Sequence, residues 1–289
     1  VIEYFSFNAG FNKWSANLFN LHANFFVFKY PSIRLNLWLF ALLGTILLST
    51  SSFQGKKNPL QDLKNVDLSD IWLNTSMNDL SAGYDAYMLA EPIGFIGSKK
   101  ERFYIHISHV QKNPNNPQQY LVTGKTRVQD VVCPFSGQLT LTKAEVIYVT
   151  QDESMLNDQL LRLEIQISFQ EEKSHPHTGT FTGQMQTYIY RNRQNIWVAG
   201  SFSAGDRFCL HQSKTIWKSY DEKLEEICHW GIYRIPDCGD LDQGKNKFMV
   251  NEKYLKNGWQ IYHEAFQTNH ANAEKWQQAL NEFNRIWWE

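Results

Sequence analysis

The clearest pattern along the chain is strict alternation. Leu161, Leu163, Ile165, Ile167 and Phe169 are apolar, and Arg162, Glu164, Gln166 and Ser168 between them are polar. Successive side chains of a strand point to opposite faces, so this segment turns one face to a core and the other to water. The same period of two places Phe103, Ile105 and Ile107 against Tyr104, His106 and Ser108. It also sets Tyr120, Val122, Gly124 and Thr126 against Leu121, Thr123, Lys125 and Arg127. Further strands are expected over 135–149, 180–191, 195–203, 208–219 and 229–235. Turn-forming stretches separate them: Asn113-Pro114-Asn115-Asn116-Pro117, His175-Pro176-His177, Asn192-Arg193-Gln194-Asn195 and Gly205-Asp206. No helical period falls between the strands, which argues against a parallel α/β sheet. The expected fold is mainly β, an antiparallel up-and-down meander that forms a barrel or a sandwich.

An internal echo fits such a meander. Phe135-Ser136-Gly137-Gln138-Leu139 is similar to Phe181-Thr182-Gly183-Gln184-Met185. A glycine within a strand permits the kink or close approach that barrel closure needs. Two helical pieces end the chain. Residues 251–257 have Asn251 as N-cap and Gly258 just past the end. Residues 272–288 carry Trp276, Ala279, Leu280, Phe283 and Trp287 at spacings of three and four, an amphipathic helix expected to dock on the β domain.

The first part of the chain follows neither period. Residues 1–34 hold seven Phe and five Asn and read as a non-structural leader. Residues 35–48, LNLWLFALLGTILL, form an apolar run with Lys29 and Arg34 before it and small polar residues after it. That layout predicts a secretory signal peptide over 35–52, with an uncleaved membrane anchor as the alternative, since a spanning helix needs about 20 apolar residues. Residues 53–100 are expected to be irregular, broken by Gly83, Pro92, Gly94 and Gly97. The β-meander domain is expected over 101–265 and the terminal helix over 270–289.

Composition adds a few exclusions. The formal net charge of the 289 residues is −1, without the basic excess of a nucleic-acid binder. Residues 1–52 carry three basic residues and one acidic, so the remainder has a net charge of −3. Export to an oxidising compartment would allow Cys133, Cys209, Cys228 and Cys238 to pair, in connectivities that spacing leaves open. A hairpin suffices to join Cys228 to Cys238, and neighbouring strands would join Cys209 to Cys228.

No phosphate loop, dinucleotide fingerprint, serine-hydrolase elbow or His-Glu-x-x-His occurs, so no cofactor and no metal are expected. His106 and His109, three apart on one strand, are expected on opposite faces. His175 and His177 share a side but sit in a solvated turn. Asp237, Asp240 and Asp242 fail the spacing of a calcium loop. The densest stretch is Cys228-His229-Trp230-Gly231-Ile232-Tyr233-Arg234-Ile235-Pro236-Asp237-Cys238. Its Trp230, Tyr233, Arg234 and Asp237 are the candidate ligand-binding residues, because aromatic bodies and a forked guanidinium suit a binding rim.

The segments FYIHISHVQKNPNNPQQYLVTGKTRV (103–128), VVCPFSGQLTL (131–141), GTFTGQM (179–185), CHWGIYRIPD (228–237) and NEKYLKNGW (251–259) resemble a family of uncharacterised exported bacterial proteins. The resemblance implies a strand order similar to small lipocalin-like (calycin-like) barrels, and it transfers no activity. The Gly-x-Trp box of lipocalins is missing from residues 53–102. The function expected is binding of an unknown small ligand or protein partner by an exported protein, periplasmic, outer-surface or secreted. The alternatives are an immunity or inhibitor protein against a secreted toxin, and a glycan-directed hydrolase using acids such as Asp237, Asp240 and Glu264.

Overall fold

The computed structural model describes residues 58–73, 91–147, 160–191, 195–200, 209–245, 247–266 and 272–289. The leader and the signal or anchor expected over 1–52 lie outside these residues. All that is described belongs to one compact unit, Lys57–Glu289. Among the described residues no helix is long and apolar enough to cross a membrane.

Nine strands form one antiparallel sheet: β1 Ile93–Ile96, β2 Glu101–Lys112, β3 Gln119–Val128, β4 Val131–Ile147, β5 Leu160–Glu171, β6 Gly179–Arg191, β7 Trp197–Ala199, β8 Leu210–Ser219 and β9 Glu225–Ile232. Consecutive strands pair in sequence, as a meander requires, except that β8 skips β7 and pairs with β6. Two pairings then decide between barrel and sandwich. β5 bonds to β6 from Leu160↔Tyr190 to Gln170↔Thr180, and β1 bonds to β9 from Ile93↔Gly231 to Ile96↔Cys228. The hydrogen bonding therefore runs round a closed ring of eight strands, with the short β7 lying beyond β8 along β6. Closure removes the free edges that an open sheet would expose.

The alternation puts the expected face inside. Leu163, Ile165 and Ile167 have no solvent exposure. Phe103, Phe181 and Trp230 meet at the barrel centre with ring centroids 5.6 to 6.2 Å apart. The echoed segments occupy equivalent places. Phe135 and Phe181 both point inward, and two positions on from each a glycine lets the next strand come close. A Cβ on Gly137 would lie 2.2 Å from the Ser168 carbonyl oxygen, and one on Gly183 2.2 Å from that of Lys214.

Bulges interrupt β2, β4 and β8. The bulge in β2 corrects the expectation for its two histidines. Ile107 pairs with Gly124 but His109 with Thr123, so His106 and His109 both lie on the outer face. In β8, His211 adopts a left-handed φ of 50°, and Leu210 pairs with Ile232 while Ser213 pairs with Trp230.

β1 escapes sequence patterning because both of its faces are covered. Gly94 and Ile96 face the barrel, while Ile93 and Phe95 face a second core outside it. That core contains Ile235, Leu241, Phe248, Val250, Trp259 and Tyr262. Gly94 is needed for the fit, since a Cβ there would lie 2.9 Å from the Cβ of Trp230.

The chain after β9 builds this outer core. A 3₁₀ turn, Glu252–Asn257, has the predicted ends: Asn251 accepts from the Lys253 amide, and Gly258 takes φ 89°. Two short helices, α1 Pro59–Asp62 and α2 Ser69–Trp72, precede the strands; α3 Gln260–Phe266 and α4 Ala273–Phe283 follow them. The predicted terminal helix ends at Phe283 rather than 288. It packs on α3, where Phe283 meets Tyr262 and Phe266, and the Trp276 indole donates to the Ala265 carbonyl at 3.0 Å. The last residues then lie on the outside of β2 and β3, with Trp288 stacked on His106 at 4.0 Å and Trp287 beside Tyr104 and Arg127.

α1 and α2 plug one end of the barrel. Leu63, Leu68, Ile71 and Trp72 join its core. The Tyr120 hydroxyl accepts from the Leu68 amide at 3.2 Å, and the Lys112 ammonium donates to the carbonyls of Lys64 and Val66. The space left beneath this plug is about 20 Å³, lined by Trp72, His211 and Trp230 among others.

Candidate functional site

The opposite end is open. There the turns joining β1 to β2, β3 to β4, β5 to β6 and β8 to β9 surround a cavity of about 390 Å³. Its inner wall consists of Phe103, Phe181, Trp217, Thr126, Cys133 and Glu171. Its rim includes Lys99, Glu101, Gln129, His177 and Glu226. A volume of this order falls within the range of small-molecule sites, which are mostly apolar with a few placed polar groups.

Glu171 is the polar centre of this wall. It stands two places beyond Phe169, so the period that buries Phe169 carries Glu171 inward as well. Its side chain is buried, at 6% exposure. Three strands supply its partners. Thr126 Oγ1 donates to one carboxyl oxygen at 2.5 Å. The Gly179 amide and the Trp217 indole N–H donate to the other at 3.0 and 2.9 Å. The Glu171 carbonyl also accepts from the Tyr220 hydroxyl at 2.5 Å. Burial pushes the carboxyl above its usual range, and the three hydrogen bonds pull in the other direction.

Glycine at 179 makes room for this arrangement. A Cβ there would meet the Lys218 carbonyl oxygen at 2.1 Å and the Trp217 ring at 2.8 Å.

The two interior thiols are not poised for nucleophilic chemistry. Burial, then the nearby Glu171 charge, pushes Cys133 up to about 11 and Cys228 well above the thiol range. A thiol needs the opposite shift to be reactive at neutral pH. Among the described residues no group of three or more His, Cys, Asp or Glu is arranged to hold a metal ion.

The expected disulfides do not form; the four cysteines are thiols, buried at 133, 228 and 238 and half-buried at 209. For the pair that a hairpin could join, Cys228 and Cys238, the reason is the barrel wall. Cys228 belongs to the interior core and Cys238 to the core outside.

The four residues proposed from sequence are distributed rather than gathered. Trp230 is buried at the barrel centre, and Tyr233 packs partly buried against the same core. Arg234 lies outside, where it donates to Asp242 at 2.5 Å and to the carbonyls of Gly244 and Lys245. Asp237 is on the surface, paired with Lys214 at 2.6 Å. The other acids considered also have partners: Asp240 bonds to Lys253 and to the Tyr254 hydroxyl, and Glu264 accepts from Gln260. In the solvated turn, His175 lies 3.5 Å from Glu172, while His177 reaches the cavity rim.

Sequence reasoning passes over Glu171, Thr126 and Trp217 because each is an ordinary strand residue taken alone. Extending the β5 period by one step is the signal that finds the first of them. Comparison of the chain with protein-family models, with curated proteins and with solved structures finds no match to any of them.

Proposed function

We propose that this is an exported binding protein that takes a small ligand into the open mouth of its barrel. The observation that carries this reading is the cavity itself. A barrel of eight strands is either filled by side chains or left with room for one small molecule. Here the plugged end is filled and the other end keeps about 390 Å³, with aromatic walls and a single buried carboxyl. The walls come from six different strands, so the shape is held by the closed sheet and not by one loop.

The uncharged dye prodan tests this. It is expected to bind in a one-to-one ratio with enhanced, blue-shifted emission. Val128, which lines the mouth, is the position to block. Val128→Trp should weaken dye binding by about tenfold or more while the melting temperature stays near that of the wild type. Absence of saturable binding to the wild type, or full binding by the folded variant, would refute the reading.

Export is supported by the basic flank and apolar run ahead of residue 52, and by a barrel, plug and outer core that all lie within Lys57–Glu289. Protein recovered from its natural host should begin near Phe53; recovery of intact residues 1–52 in a membrane fraction would overturn the signal reading.

A second reading, an interaction protein of the inhibitor type, is favoured by one surface. On the outside of β8 and β9, Ile216 faces Ile227 directly across the strands, and both are exposed, with Leu224 exposed at the turn between them. Contiguous apolar patches on a solvated face mark docking surfaces, and these three side chains are the start of one.

A further inference from the structure

Building on the mouth as a ligand site, we propose that its ligand is a small organic cation, a protonated amine carried on an apolar body. The first ground is a missing counter-charge. Buried carboxylates are normally paired with a cation, because hydrogen bonds alone recover only part of the lost hydration. Glu171 is buried, yet its three side-chain partners, Thr126, Gly179 and Trp217, are all neutral. No Lys, Arg or His among the described residues forms an ion pair with it. The carboxyl lies in the wall of the cavity, so a ligand can supply the charge that the chain does not.

The second ground is the sign of the rim. Glu101 and Glu226 stand at the entrance with Lys99 as the opposing charge. Gln129 donates to Glu101 at 3.3 Å, and the Glu226 carboxylate lies over Gly97, 3.2 Å from where a Cβ would be. Two rim carboxylates above a third in a low-dielectric pocket attract cations and repel anions.

The third ground is the wall itself. Phe103, Phe181 and Trp217 offer aromatic surface next to the carboxyl. Aromatic faces bind ammonium groups and apolar bodies alike, whereas a carboxylate ligand would face the Glu171 carboxyl and the negative faces of the rings. Burial raises the Glu171 carboxyl above its usual range, and an arriving ammonium favours the ionised form again.

Three probes with one indole body separate the possibilities: tryptamine, tryptophol and indole-3-acetate carry a positive, neutral and negative head. By calorimetry on the wild type, tryptamine should bind about tenfold tighter than tryptophol, and indole-3-acetate should not saturate. Tryptamine affinity should fall with added salt while that of tryptophol holds. The Trp217 indole N–H resonance, assigned with Trp217→Phe, should move on adding tryptamine, because that group bonds to Glu171. Glu171→Gln should remove the preference of tryptamine over tryptophol.

If Glu171→Gln does not fold, the salt dependence and the Trp217 resonance decide the matter in the wild type. Equal affinities for tryptamine and tryptophol, both lost in Val128→Trp, would overturn the cation assignment and leave the mouth as a binding site. Failure of all three probes together with prodan would overturn both. Retained charge preference in a folded Glu171→Gln would show that Glu171 is only a structural acceptor.

Discussion

Leu163→Asp is expected to unfold the barrel, whereas Glu164→Ala leaves its thermal transition within about 2 °C of the wild type. The two positions are adjacent on β5 and differ only in face. Leu163 has no exposure, and it pairs with Ala144 on one neighbouring strand and Thr187 on the other. An aspartate there loses the buried leucine contacts and places an unpaired charge in the barrel, a loss of more than about 4 kcal/mol. Glu164 points outward, 3.4 Å from Lys143. A solvated pair of this kind contributes less than about 1 kcal/mol. Melting followed by circular dichroism checks both. Equal transitions would show that the β5 faces are assigned the wrong way round.

The second large effect is acid lability through His211. Its ring is buried beneath the N-terminal plug, 5.5 Å from the Trp72 ring and hydrogen-bonded to the Ile71 backbone. Burial pushes it down to about 4 from the ordinary 6.5. The unfolded chain therefore takes up a proton at higher pH than the folded one. Stability is fully present above pH 6.5 and is lost as the pH falls towards 4, at about 1.4 kcal/mol per pH unit. The total is roughly 3 kcal/mol, the full difference between pH 6.5 and pH 4 at that slope.

His211→Asn is the control. Asparagine tolerates the left-handed backbone at this bulge and does not titrate. Urea midpoints at pH 7 and pH 4.5 should converge in His211→Asn relative to the wild type. Carboxylates titrate equally in both proteins, so the difference isolates the histidine. An unchanged pH dependence in the variant would remove His211 as the cause.

The expected and observed elements differ in informative ways. Strands β2 to β6 and β8 to β9 follow from alternation and turn residues, because each has one buried and one solvated face. Among the predicted strands the largest differences are in β7, which shrinks to Trp197–Ala199, and in β4 and β9, which start at Val131 rather than 135 and at Glu225 rather than 229. β1 has no such signature. Its four residues carry a glycine and are covered on both sides, so only their position between β2 and β9 makes them a strand. The cysteine pairing fails for a related reason. Spacing in the chain says that Cys228 and Cys238 are near each other, and only the barrel wall between their two cores keeps them apart.

The candidate site shows the same division. Trp230, Tyr233, Arg234 and Asp237 draw notice through their chemistry and closeness in sequence. Three-dimensional packing sends Trp230 to the barrel centre, Arg234 to Asp242 and Asp237 to Lys214. Glu171, in contrast, is one more polar residue at the end of a strand until β3, β6 and β8 bring Thr126, Gly179 and Trp217 around it.

The amino-acid sequence by itself determines an antiparallel meander with a defined inner face, because a period of two is a local property that any strand must obey. It also determines the caps at Asn251 and Gly258, which depend on adjacent backbone alone. Closure of the ring, the plug at one end, the open mouth at the other and the buried carboxyl within it are decided only by the tertiary structure. Each of these depends on residues far apart in the chain meeting at one place, and burial, which sets both the cavity and the titration of Glu171, exists only once they do.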